Sequence, residues 1–440
     1  MYEMQYSNKV YLSKHDGRGK SNGRHHSKRF DSERDIFLND INLDNILSKI
    51  ANRREKHDFA HNRDSSEAYS SIGRSSRSIN SSTERQKRLS ECHVICTTLS
   101  GAGSKSFTEA VSRDAFPLSE FDAVIIDEAC QGSEMASLIP LKFNPNVLIL
   151  VGDPKQLPVM TFSQDAQRCR TDRSLFERLY ESGWPIHLLR YQYRMHEEIA
   201  SFPSRTFYDN MLITSKCVLN REKQSWYSHY AFPPYLFWNV NGAMTRGPNG
   251  GITNDYEAVF TCRLLNDFRL AMPNVREVSI GIITFYNDQA SLIDRKLEQN
   301  QVLKKWMRKG NITLQVSTVD GFQGSEKDII ILSCVRSKLS GKSFNNKIGF
   351  LKDFRRVNVA LTRAKHSLWI LGDANILSSD GLWSNLINDA RSRNLIAHQC
   401  DLDQFMERKE TPTKIKKKKK KRNRQRHKNI NRIVHANNSI

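Results

Sequence analysis

The sequence predicts an α/β fold built on parallel sheets, and three observations carry the prediction. From about Glu91 to Ala397, short β-branched runs alternate with longer amphipathic segments. The runs are continuously apolar, as strands covered on both faces are. Almost every run ends in polar or small residues, and doubly wound sheets present their ligands just beyond the carboxyl ends of the strands. About 300 residues with this many strands exceed a single core, so the stretch divides into two domains.

The runs come in the order 93–97, 123–126, 147–151, 279–283, 314–317, 329–333 and 367–371. Their polar ends are Thr97-Thr98, Asp127-Glu128, Gly152-Asp153, Thr318 to Asp320 and Gly372-Asp373. Ahead of them, residues 1–90 hold 18 basic and 12 acidic side chains in Ser-, Arg-, Asn- and His-rich sequence, the texture of a low-complexity segment. One helix is expected there, over residues 35–54, where Ile36, Leu38, Ile41, Leu43, Ile46, Leu47 and Ile50 recur at helical spacing. The expected divisions are this segment, a partial first domain over 91–187, a second domain over 188–398, and a basic disordered tail over 399–440.

Charge narrows the function. The 440 residues carry 68 Lys and Arg against 47 Asp and Glu, a net +21, which implies a polyanionic partner. Residues 414–432 contribute 12 basic side chains and no acidic one, the signature of a nucleic-acid anchor or a nuclear localisation signal. The run Lys416 to Arg422 with Arg424, Arg426 and Lys428 points to the nucleus. No apolar run approaches the 18 to 20 residues of a membrane span, so no membrane partner is expected. The 8 cysteines form no C-x-x-C pair and read as reduced thiols.

Two carboxylates, Asp127 and Glu128, leave the end of a buried run, the placement that phosphoryl-transfer sites use to hold Mg²⁺ and polarise a water. The same pair also suits a solvated turn ahead of a helix. The next run delivers Gly152 to Pro158 (GDPKQLP), a stiff loop whose Gln156 can sense a phosphate without carrying charge. Residues 127–131 (DEACQ), this loop, and residues 192–196 (QYRMH) together resemble motifs II, III and IV of the superfamily 1 helicases, in the Upf/senataxin-like branch. Residues 316–328 (VSTVDGFQGSEKD) look like motif V and residues 358–365 (NVALTRAK) like motif VI. Residues 97–103 (TTLSGAG) are similar to the loop with which this branch grips a nucleic-acid backbone, and hydroxyls with glycine N–H groups suit phosphate oxygens. The resemblance spans roughly Arg88 to Ala397.

The resemblance implies two RecA-like P-loop NTPase domains, ATP and Mg²⁺ as cofactors, and single-stranded RNA or DNA, with RNA:DNA hybrids, as partners. Residue by residue, it implies Asp127 on Mg²⁺, Glu128 on the hydrolytic water, Gln156 on the γ-phosphate, and Arg194 and Arg363 as arginine fingers delivered by the second domain. Gly324 and Glu326 would line the ribose and phosphates, with Tyr193 stacked on the base. Thr97, Thr98 and Ser100 would hold the bound strand, and Thr318 and Asp320 would link it to the nucleotide. Glu197 stands where the family usually has proline, a change a helix start tolerates.

Motif I is the departure. A phosphate-cradling loop needs G-x-x-x-x-G-K-[ST] after a buried strand. Gly19-Lys20-Ser21 has Lys14 at the first glycine's place, Gly341-Lys342-Ser343 has Arg336 there, and Gly101 to Ser106 belongs to the loop already assigned. The expectation is therefore a chain that begins inside a helicase core, with an incomplete first sheet and an exposed strand edge. An ATP-driven helicase and a nucleotide-independent nucleic-acid-binding module both remain open. Aromatic and basic clusters at Trp226-Tyr227, Tyr230, Phe232 to Tyr235 and Trp306 to Lys309 offer stacking or phosphate contacts, or simply core.

Overall fold

The computed structural model describes residues 9–13, 89, 92, 94–112, 121–161, 163–247, 250–338 and 348–407. The helix expected over 35–54, the Gly19 and Gly341 near-misses and the basic run from Lys414 lie outside the described residues. The chain divides into two units, Met1–Asp127 with Met135–Leu150, and Glu128–Glu134 with Val151–Ile440.

The first unit is built on four strands, β1 (Lys9–Ser13), β2 (Val94–Thr98), β3 (Ala123–Ile126) and β4 (Val147–Leu150), in the order β2-β1-β3-β4. It departs from the all-parallel expectation. β3 and β4 are parallel, but β1 runs antiparallel to both β2 and β3, with Ser13 opposite Ala123 and Val10 opposite Ile126. The carboxyl end of β1 therefore faces the amino end of β3, away from the edge where Asp127 leaves the sheet. A phosphate loop must leave a strand on the same edge as the acidic pair, so β1 does not supply the strand that Gly19-Lys20-Ser21 would need. β4 lies at one margin of the described sheet, and all four of its residues are half-buried. Helix α1 (Leu99–Gly103) follows β2, and α2 (Lys105–Ser112) follows α1. Phe107 and Phe121 meet the fully buried Phe143 edge to face, at 5.7 and 5.4 Å, and anchor this small core.

The second unit carries the predicted parallel sheet. Its strands are β5 (Tyr235–Asn239), β6 (Ser279–Thr284), β7 (Thr313–Thr318), β8 (Lys327–Ser333), β9 (Ala364–Gly372) and β10 (Ile396–His398), ordered β7-β6-β8-β9-β5-β10 and parallel throughout. Central β8 shows why: Ile329 to Leu332 point alternately to two faces and all four are fully buried. Two apolar clusters cover those faces, one around Phe237, Ile330 and Trp383, the other around Trp238, Ile331 and Trp369.

The helices begin where the sequence offers caps. Asn254 accepts from Glu257 N to start α5 (Asp255–Ala271), Asn300 from Leu303 N to start α7 (Gln301–Gly310) after α6 (Asn287–Gln299), and Asp353 from Arg355 and Arg356 N to start α8 (Phe354–Leu361). Earlier in the chain, Ser174 caps α3 (Leu175–Glu181) and His196 Nδ1 accepts from Glu198 N to cap α4 (Glu197–Phe207), so Glu197 sits harmlessly in a first turn. Of the aromatic cluster over 226–235, Trp226, Phe232 and Tyr235 are core, at most 2% exposed, whereas Tyr230 is 49% exposed. Within the stretch expected as a tail over 399–440, Asp401–Glu407 forms a helix that buries Leu402 and pairs Asp403 with Arg263, and residues 408–440 lie outside the described residues.

Candidate active site

Two loops of the second unit interlock. Glu128 takes the left-handed conformation (φ 55°, ψ 40°), uncommon for a residue with a side chain, and opens a single 3₁₀ turn over Ala129–Gln131. The turn closes on itself, with Gln131 N donating to Glu128 O at 2.9 Å and Gln131 Nε2 to Glu128 Oε2 at 2.8 Å. Ala129 N donates to Val151 O at 2.7 Å. Gly152 passes so close that a Cβ there would stand 2.8 Å from Cys130 Sγ and 3.0 Å from Cys130 N, which is why the loop after the run at 147–151 begins with glycine. Cys130 is buried in this junction, and burial with the nearby Asp153 carboxylate pushes its thiol far above the usual range.

Gln156 is held by its own loop. Its Nε2 donates to Asp153 Oδ2 at 2.8 Å, leaving Oε1 to accept from Arg363 Nη2 at 3.3 Å. Tyr208 O–H donates to the same Asp153 oxygen at 2.6 Å, and Asn358 Nδ2 donates to Tyr208 Oη at 2.7 Å and to Lys155 O at 2.9 Å. Burial, with Asp153 beside it, holds the Tyr208 phenol well above its usual pKa.

Arg363 ends α8's extension into β9 and is 3% exposed. Its guanidinium donates to neutral acceptors: Val359 O at 3.1 Å, Thr362 Oγ1 at 2.8 Å and Gln156 Oε1. Burial first, and the Arg194 charge second, push the guanidinium down to about 10, with Glu128, Tyr208 and Glu326 partly offsetting them. It is a cation at neutral pH in a place that disfavours cations.

Arg194 is anchored differently. Its Nε meets Glu326 Oε2 at 2.5 Å and its Nη1 donates to Thr362 O at 3.2 Å, while Arg221 clamps the backbone through Tyr193 O and Arg194 O. Lys365 Nζ takes the other Glu326 oxygen at 3.0 Å. Burial would raise the Glu326 carboxyl, but Arg194 and Lys365 outweigh it and hold it at about 2. Tyr193 is 64% exposed beside this pair. Gly324 has φ +73° with open space where a Cβ would stand, so its backbone alone demands glycine.

Of the remaining expected residues, Thr318 ends β7, and Asp320 is gripped by Arg356 through Nε at 3.0 Å and Nη2 at 3.2 Å. Arg356 also reaches Asp353 at 2.7 Å. In the first unit, Asp127 directly follows β3. Thr98 caps α1 by accepting from Gly101 N at 2.9 Å, which leaves its O–H as a donor; Thr97 is half-buried and Ser100 exposed. Sequence reasoning placed Gln156 and Arg363 in different domains, whereas the structure brings Glu128, Gln156, Arg194, Glu326 and Arg363 into one unit. It missed Asp153, Tyr208 and Arg356 as partners. Asp153 lies within the quoted loop 152–158 and Arg356 just ahead of the motif at 358–365, but nothing local marks Tyr208.

As for cofactors, the buried guanidinium of Arg363, hydrogen-bonded to neutral acceptors, fits a phosphate. Among the described residues no group of three His, Cys, Asp or Glu side chains is placed to hold a metal. A strand-end carboxylate such as Asp127 fits Mg²⁺ of the kind whose shell is completed by phosphates and water.

The parallel six-stranded sheet, covered by apolar clusters on both faces, is of the RecA-like P-loop class. Comparison with known proteins specifies it. Two family models, each described as an AAA domain, match residues 3–164 and 171–375. The chain is 37% identical over 310 residues to the probable helicase MAGATAMA 3 of Arabidopsis thaliana, covering 70% of this chain and 36% of that protein. It is 38% identical over 323 residues to the probable helicase senataxin of Homo sapiens (71% and 11%), and 36% identical over 313 residues to the regulator of nonsense transcripts 1 of Dictyostelium discoideum (70% and 22%). A solved structure, "The structure of PRRSV helicase", aligns at 16% identity and a TM-score of 0.27 over 58% of this chain and 36% of that one. The chain belongs to the superfamily 1 helicases, in their Upf/senataxin-like branch. It spans at most about a third of the length of these curated relatives.

Proposed function

We propose that this chain supplies the hydrolytic and arginine-bearing part of an ATP-driven helicase that moves along single-stranded RNA or DNA, RNA:DNA hybrids included. The observation that carries the reading is Arg363: a buried cation bonded to neutral acceptors, beside Gln156 and within the field of Glu128. Charge that develops on a γ-phosphoryl group is what such a cation complements, and arginines so placed accelerate phosphoryl transfer by about 10³ to 10⁵. Glu128, with its carboxylate steadied by Gln131, orients the attacking water and accepts its proton. Gln156 offers an uncharged contact to the γ-phosphate, and Arg194 a second cation once Glu326 yields it. Asp127 would hold Mg²⁺, which offsets phosphate charge when bound. The basic run 416–428 serves nuclear delivery and backbone binding.

A second reading, a binding module without hydrolysis, draws on two facts: the 440 residues contain no G-x-x-x-x-G-K-[ST], and β1 runs the wrong way to precede one. A strand-displacement assay separates them. On an RNA:DNA duplex with a single-stranded overhang, the motor reading expects ATP-dependent release of the short strand, lost in Arg194→Ala. Tight binding to the overhang with no release at any ATP concentration would support the module and remove the motor.

A further inference from the structure

Outside the motifs, a cleft of about 440 Å³ opens between the end of α5, the loop before β6, and α7. The cations Arg269, Arg276, Lys305 and Lys309 line it together with the apolar Pro273, Val302 and Trp306. We propose that this cleft is a docking site for an acidic peptide segment of a partner protein, one that inserts an apolar side chain between carboxylates.

Three observations carry this. First, the cations are unpaired by acids: Arg269 donates to Asn266 Oδ1, Arg276 to Pro273 O and Val275 O, and no ion pair involves Lys305 or Lys309 among the described residues. The neighbouring Glu277 bonds Gly310 O through its backbone N–H and does not line the cleft. Second, Val302, Lys305, Trp306 and Lys309 share one face of α7 at spacings of three and four. Two like charges four apart on a helix repel, and Val302 is 53% exposed, so this face is costly without an occupant. Arg269 and Lys309 stand in last turns, where a cation also balances a helix's negative end, but Arg276 on its loop and Lys305 in mid-helix have no such explanation. Third, the Trp306 Nε1 donor is buried and finds no acceptor among the described residues.

The apolar lining argues for a peptide over a nucleic acid. Trp306 packs against Phe268 at 75°, with 6.2 Å between ring centres, and is half-buried, so most of its ring belongs to the core and is not free for base stacking. Gly310 precedes the amino end of β7, whereas Thr318 and Asp320 stand at its carboxyl end, roughly 20 Å away along the strand.

The test uses the full chain at physiological salt and a fluorescein-labelled peptide of Asp and Glu around a central Leu-Phe pair, read by anisotropy. A Lys305→Glu/Lys309→Glu double variant and a separate Val302→Asp variant should each weaken binding about tenfold or more, as should replacing Leu-Phe by Ser-Ser in the peptide. Circular dichroism confirms that the variants are folded. Unchanged affinity in both variants, or equal binding of the two peptides, would place the peptide on the basic tail and overturn the proposal. So would an oligothymidine whose binding falls in the double variant as far as the peptide's does, since the cleft would then be a nucleic-acid site.

Discussion

Replacing Arg363 with methionine should separate stability from activity. The fall of the guanidinium from 12.5 to about 10 corresponds to roughly 3 kcal/mol by which the folded protein disfavours its charged form. That cost is present wherever the group is charged in both folded and unfolded chains, hence everywhere below about pH 10. Against it stand three hydrogen bonds to neutral acceptors, each worth about 0.5–1.5 kcal/mol net. The two contributions nearly cancel, and methionine keeps most of the volume. The expected change in unfolding free energy is less than about 1.5 kcal/mol, where truncating a buried side chain of this size costs about 2–5 kcal/mol. Urea unfolding followed by tryptophan fluorescence measures it, alongside nucleic-acid-stimulated ATP hydrolysis, which should fall at least about 10³-fold. A loss above about 3 kcal/mol with hydrolysis retained would show that Arg363 is a structural strut, and the site reading would be wrong.

Three further outcomes are expected. Glu326→Gln should cost about 1 kcal/mol, discounted because the carboxylate is 39% exposed; with its pKa held near 2, the difference from wild type should be constant above pH 4.5 and shrink as pH falls toward 2. Glu257 is wholly buried and burial raises it to about 8, although Ser333 Oγ and Val335 N donate to it, so its ionisation opposes folding. Glu257→Gln should therefore gain on wild type as pH rises from 4.5 to 8, by up to roughly 5 kcal/mol in urea unfolding, and a flat difference would mean an unseen counter-charge. Gly324→Ala should cost about 1–2 kcal/mol for backbone strain alone, with Gly324→Asn milder; equal stability of all three would put that loop in another conformation.

The central strands were legible because their runs are apolar on both faces, and β6 to β9 fall within three residues of the expected runs. β5 was hidden by its composition: Tyr235 to Asn239 (YLFWN) behind two prolines reads as an aromatic patch, and only pairing with β9 and β10 reveals a strand. β1 was illegible in a deeper sense, since five residues give no direction, and direction is what bears on the phosphate loop. In the site, residue types and order were readable, but couplings were not. Nothing near Asp320 announces Arg356, 36 residues on, and the left-handed turn at Glu128 depends on Val151 and Gly152 passing beneath it.

The proposed function requires these residues to serve nucleotide hydrolysis coupled to a nucleic-acid strand. ATP turnover by the chain with and without single-stranded RNA, beside Glu128→Gln, tests this directly. RNA-stimulated turnover that Glu128→Gln abolishes while RNA binding persists is the expected result. Turnover at background in the wild-type chain, with RNA bound as tightly as by the variant, would contradict it.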